Sequence, residues 1–397
     1  FVKGKPEGFG TITFADGGTY EGNWLDGAIT GQGVAVYSNG ARYEGGFRNA
    51  MHHGRGIIVN PDGYVYDGDW INGVKEGTAK VTYADGSVYQ GAIIRGAREG
   101  FGRLEMQEGL VFEGIWSNGE INGKGKLIQP NGDIYEGVLA NGRREGSGKV
   151  TYANGDVYDG MFADDQRSGQ GTFTGADGYK YAGNWAAGQI QGAGEVFYPD
   201  GSYYIGTFVN GMSDGQGKIT YPDGSIYEGG WVAGVIEGRG TATYSNGITY
   251  VGDFKNARND GRGIMTYSDG YVYDGDWKNG MRHGQGKATF ADGMVYDGTY
   301  KDGRRHGQGS IVLSDGFKYT GEWQYGEITG QGVATYANGD IYEGMFLKGK
   351  RQGEGTIRFA SGQEASGEWR NGALVPRHRI RESDRTHSDA HPAIETA

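Results

Sequence analysis

YEGNWLDGAITGQG, residues 20 to 33, sets two aromatic rings, four glycines and two carboxylates within fourteen residues. Taken alone, Glu21 and Asp26 resemble a catalytic carboxylate pair, and Gly31 and Gly33 the start of a phosphate-cradling loop. Repetition decides between a site and a building unit. From Tyr20, steps of 23 residues reach Tyr43, Tyr66, Tyr89, Phe112 and Tyr135, and so on through Tyr342 to Ala365; that is sixteen anchors without insertion or deletion, and glycine stands two residues beyond every one. The stretch is a building unit. Positions below are offsets from these anchors, Tyr20 being offset 0.

At 397 residues the chain would ordinarily make two or three globular domains, but the unbroken period over residues 1–374 argues for one continuous array, with 375–397 outside it. Of 81 glycines, 77 fall at offsets 2, 7, 11, 13 and 20, so glycine here is architectural and not a linker composition. The net charge of −11 disfavours nucleic acid as a partner. With no cysteine there is no disulfide framework, thiolate zinc site or cysteine nucleophile. No apolar run approaches the roughly 18 residues of a transmembrane segment. Phe1 stands at the offset of Trp24, so the chain opens inside a repeat and a targeting segment before it is left open. The polar tail from Val375 is expected to be disordered.

Asn-Gly or Asp-Gly at offsets 19 and 20, as in Asn39-Gly40 and Asp62-Gly63, predicts a two-residue hairpin turn with positive φ at both positions. A looser turn is expected after the Trp or Phe, at Asp26-Gly27 and Asn72-Gly73. Two turns leave two strands of about five to seven residues and no helical period. The expected fold is all-β: an elongated, twisted, single-layer antiparallel meander of 23-residue hairpins, on the order of 150 Å long at about 4.8 Å between strands. Alternation places Tyr20, Gly22 and Trp24 on one face with Gly31, Gly33, Ala35 and Tyr37, where bare glycine backbone lets a ring lie flat. The opposite face carries offset 1, acidic in ten repeats, and offset 14, with Lys80, Arg103, Lys126, Lys149, Lys218 and Lys287. Such pairs contribute roughly 0.2–1 kcal/mol each.

The pattern YEGxW, a short turn, GxG, an aromatic and a DG or NG turn resembles the MORN (membrane occupation and recognition nexus) repeat. YDGDWKNGMRHGQG at 273 to 286 and YTGEWQYGEITGQG at 319 to 332 carry the resemblance as closely as the opening stretch. It implies a β-meander serving as a scaffold or adaptor, with protein partners, self-association and phospholipid as associations and no catalysis of its own.

Offset 4 alternates beyond what the resemblance requires: Trp24, Phe47, Trp70, Ile93, Trp116, Leu139, then Phe162, Trp185, Phe208, Trp231 and onward. Offset 9 follows it, with Ile29, Ile121, Ile190, Ile236, Ile328 or Leu374 in Trp repeats, Lys75 and Arg282 excepted, and His52, Arg98, Arg144, Arg167, Ser213, Asn259, Arg305 and Arg351 in the others. The unit is read as a 46-residue pair whose Trp member folds Ile over the indole and whose partner exposes a base. The alternation slips at Leu139 and Phe162, and a bend is expected at 158–180.

Ten like acids at one offset offer no difference in environment from which to build an acid and a base, so no enzyme is expected. Gly31 and Gly33 lack the lysine and helix of a phosphate loop. His53, His283 and His306 share offset 10 but do not converge as metal ligands, and neither metal nor cofactor is expected. Two surfaces remain. One is an aromatic-glycine groove of Tyr20, Trp24, Tyr66, Trp70, Trp116, Tyr181, Trp185, Tyr227, Trp231, Tyr273, Trp277, Tyr319 and Trp323, expected to stay partly open because a single layer cannot hide every ring. The other is a basic edge of Arg98, Arg143, Arg144, Arg167, Arg304, Arg305 and Arg351. The leading expectation is a non-catalytic scaffold that binds a protein segment or a second copy in the groove. The alternatives are a peripheral membrane adaptor using the arginine edge on anionic lipid, and a glycan-binding module. A cytoplasmic or membrane-peripheral location fits these readings.

Overall fold

The computed structural model describes residues 1–376; apart from Val375 and Pro376, the tail expected to be disordered lies outside the described residues. The described residues form 33 strands of antiparallel sheet, not closed into a barrel. It divides into two compact units, Phe1–Ile236 and Glu237–Ala397. In the first, β1 (Gly8–Thr13) pairs with β2 (Thr19–Leu25), β2 with β3 (Ala28–Val36), and each strand with the next in sequence as far as Ile226–Val232. In the second, the same succession runs from Thr249–Lys255 to Ala373–Leu374. Every complete repeat supplies a strand of 7 residues and one of 9, the second longer than expected.

The two turns exchange the characters expected of them. The tight one follows the Trp or Phe: Asp26 and Gly27 have φ of 48° and 85°, and strand pairing resumes at once with Leu25 opposite Ala28. This is the two-residue turn that matches strand twist. Even Arg95, Ala187, Ala233, Tyr325 and Lys348 are held left-handed at offset 6. The Asn-Gly at offsets 19 and 20 instead closes a longer loop, in which only the glycine is left-handed. There Tyr37 N–H donates to Ala41 O at 2.8 Å, and the Asn39 side-chain oxygen accepts from Ala41 N–H at 3.0 Å. Asn and Asp serve that loop through their side chains and not through positive φ.

A bulge shapes each hairpin. Gly22 lies opposite Gly33 but Trp24 opposite Ile29, so one residue on the first strand faces three on the second, with Gly31 left-handed at 72°. The bulge turns the carbonyl at offset 3 toward the ring face. All fourteen tyrosines at offset 0 donate their hydroxyl to that carbonyl, from Tyr135 on Val138 at 2.6 Å to Tyr204 on Thr207 at 3.2 Å. The tether lays each ring over the paired residues at offsets 2 and 13, both glycine except at Tyr66, where Ala79 faces Gly68; a Cβ on Gly194 would fall 2.6 Å from the Tyr181 ring and hydroxyl. Phe112 has no hydroxyl to tether. Ile121 and Leu139 stand over Gly114 and Gly125 in its place, and Phe112 is only half-buried.

The core is the resulting ladder. Tyr43 meets Phe47 edge-on at 5.0 Å and Trp70 of the next repeat at 5.6 Å, and the same contacts recur along each unit. All eight tryptophans donate Nε1–H to the glycine carbonyl 14 residues earlier, at 3.0–3.4 Å. Around the expected bend, Tyr158 meets Phe162 at 5.2 Å and Trp185 at 5.2 Å, and Asp164-Asp165 makes the tight turn at φ of 47° and 65°. The bend is kept as a proposal resting on the slipped Trp alternation.

Candidate functional site

The aromatic residues expected to wall an open groove are placed inside. Tyr20, Tyr66, Trp70, Trp116, Tyr181, Trp185, Tyr227, Trp231, Tyr273, Trp277, Tyr319 and Trp323 are at most 7% exposed, and Trp24 alone is half-buried. A single layer hides them because glycine pairs let each ring sink onto backbone and the residue at offset 9 closes over it. Burial raises the hydroxyl pKa of the tethered tyrosines, to about 12 for Tyr43 and Tyr181.

The arginine edge is likewise engaged. Arg98 donates Nη2–H to Gly119 O at 2.7 Å and holds its guanidinium 4.3 Å from the Trp116 ring. Arg305 does the same with Gly326 O and Trp323, and Arg351 with Gly372 O and Trp369. Arg167 stacks on Trp185 at 4.3 Å, and Arg144 bonds Asp165 and covers Phe162. The base expected to be exposed therefore covers the ring of the following repeat, a cation–π contact reinforced by a hydrogen bond. Of the seven, only Arg143 and Arg304, at offset 8, are exposed, and Arg143 pairs with Asp164 at 3.2 Å. In the second unit a cavity of about 350 Å³ opens among Tyr271, Arg282, Tyr300, Arg304 and Arg305.

Offset 10 has a structural role that sequence reasoning missed. Its side chain accepts from the backbone N–H of the next repeat's tight turn: Glu99 from Asn118 at 2.8 Å, Glu145 from Asp164 at 2.9 Å, and His53 through Nδ1 from Asn72 at 3.3 Å. His283 lies 3.8 Å from Asp302 of the next turn, and His306 stands edge-on to Tyr325. The recurrence of Glu, Asp, Gln or Asn at this offset is the signal that could have shown it.

The face away from the rings is left open. Offsets 1, 3, 12 and 14 project from it on either side of the paired offsets 2 and 13, whose side chains would point to the ring side, so that only their backbone forms the floor here. In the first unit this face holds a hollow of about 840 Å³ along residues 159–207 and one of about 460 Å³ along 124–159. In the second, a hollow of about 370 Å³ lies along residues 331–367. Elsewhere on the face acids and bases pair, as Arg55 with Asp67 at 2.8 Å and Arg262 with Asp274 at 2.8 Å.

The model of the MORN repeat matches sixteen consecutive segments, beginning with residues 1–19 and 20–42 and ending with 319–341 and 342–364. No curated protein matches the chain. Among solved structures, the SAS-4 TCP domain of Drosophila melanogaster in complex with a proline-rich motif of Ana2 is 15% identical, covering 50% of this chain and 90% of that one at a TM-score of 0.21. The TCP10 domain of Danio rerio CPAP is 14% identical over 68% of this chain and 99% of its own, at 0.17. At such TM-scores the likeness carries no argument.

Proposed function

The chain belongs to the MORN repeat family, and from that premise we propose that it is a non-catalytic scaffold holding an extended segment of a partner protein against the open face of its sheet. The carrying observation is the contrast between faces: the ring side is closed by the chain's own side chains, while the open side keeps a hollow of about 840 Å³ over bare backbone. An extended segment suits that floor, because its side chains alternate with the same period of two that spaces the side chains of the face.

The test is recovery of binding partners by the intact chain beside variants that place a charge on each surface. Ala193→Asp and Val138→Asp alter the open face, and Arg143→Glu and Arg304→Glu the edge. The expected result is a polypeptide partner lost with the open-face variants and kept with the edge variants. Sedimentation with anionic vesicles that fails only in the edge variants would replace this reading with the membrane adaptor, and capture by a glycan array would replace it with the glycan module.

A further inference from the structure

On the open face a recurring arrangement sets an acid at offset 1 against a base at offset 14, as in Lys126–Glu136 at 3.3 Å and Lys218–Glu228 at 3.7 Å. One place reverses it. Offset 14 carries Glu195, the only acid at that offset in the chain. Its neighbours across both strand pairings are Ala182 and Ile205, standing where acids prevail. Among the described residues Glu195 forms no ion pair; its half-buried carboxylate accepts only from the Tyr203 hydroxyl, at 2.6 Å. Glu195 lines the hollow of about 840 Å³ together with Ala193 and Thr207, with Asp159 at one end and no lysine or arginine in its wall.

We infer that this hollow is the selecting position of the open face: it takes a lysine or arginine side chain carried between small apolar residues of an extended partner segment. This rests on the open face being the docking surface. A carboxylate bonded to one neutral hydroxyl keeps acceptor capacity for an ammonium or guanidinium, and the charge-assisted bond is the stronger for the apolar groups beside it. Ala182, Ala193 and Ile205 offer methyl groups to the flanking residues. An acidic segment would set its charge against Glu195 and Asp159 with no base to answer it, so the same wall that attracts one class rejects the other.

The experiment pans a phage-displayed library of random linear peptides on the immobilised intact chain, then measures fluorescein-labelled winners by anisotropy against Glu195→Gln, Glu195→Lys, Val138→Asp and Thr241→Lys. Glu195→Lys restores the residue that Lys80, Lys126, Lys149, Lys218 and Lys287 place at this offset, so the repeat accommodates it. Winners are expected to carry Lys or Arg between Ala, Val or Ile. They should weaken on the order of tenfold in Glu195→Gln, and further in Glu195→Lys, while binding Thr241→Lys unchanged. Winners that bind Glu195→Lys as well as the natural chain but are lost in Val138→Asp overturn this inference and leave the docking face standing. Winners indifferent to both variants, or no enrichment, overturn the docking face and the inference together.

Discussion

Gly194 and Gly188 stand in one repeat yet answer differently to a methyl group. A Cβ on Gly194 meets the tethered Tyr181 ring at 2.6 Å, whereas one on Gly188 meets nothing within 4 Å and is opposed only by φ of 81°. Gly194→Ala should cost roughly 3 kcal/mol by overpacking and Gly188→Ala roughly 1 kcal/mol by backbone strain, compared in urea unfolding of the intact chain. His52 carries a second residue-scale consequence. It stands where other repeats place arginine, stacked on Tyr43 at 3.6 Å with Nε2 at 2.6 Å from the Tyr37 hydroxyl. Burial, and then the charge of Lys75, holds its pKa down from 6.5 to about 4. The fold thus prefers the neutral ring, so its contribution is complete above pH 6.5 and is lost as pH falls from there toward about 4. Thermal melts between pH 7 and pH 4 should show a steeper acid loss in the natural chain than in His52→Gln; equal slopes would remove the ring from the account.

Within the hairpin, what was legible in sequence was whatever repeats locally. Period, strand alternation and the ring side of Tyr20, Gly22 and Trp24 follow from spacing alone. The turns were misjudged because Asn-Gly and Asp-Gly recur at both, and only the backbone distinguishes a left-handed pair from a side-chain-capped loop. Ala233, left-handed at 46°, therefore gives a prediction: Ala233→Asn should stabilise by on the order of 0.5–1 kcal/mol, read as a shifted unfolding midpoint. The arginines were misplaced for another reason. Arg98 reaches Gly119, 21 residues on, so its partner is in the following repeat and invisible to its own surroundings in sequence. Arg98→Gln should cost about 1–2 kcal/mol through the lost guanidinium stacking and bonds, with Arg98→Lys intermediate. A neutral outcome for Arg98→Gln would return the arginines to the role of solvated charges.

For the molecule as a whole, stability built from contacts between neighbouring repeats makes the repeat the unit of tolerated change. Deleting residues 204–226 removes one complete period from the first unit and leaves Trp231 to donate to Gly194 O in place of Gly217 O. Strand content per residue in circular dichroism should be unchanged, whereas a deletion of half a period should abolish folding. The bend proposed at 158–180 is tested by spin labels at Lys126 and Lys218: a broad distance distribution supports it, and a single narrow one removes it. The links between repeats are also vectorial. Guanidinium and capping acceptor reach toward the C-terminus, as Arg98 to Gly119 and Glu99 to Asn118, while each indole reaches back toward the N-terminus. A repeat inserted backwards would find no partner on either side. The sheet thus has a sense of travel, and under the docking proposed above a segment would meet the repeats in one order only, its reversed sequence meeting a different succession of side chains.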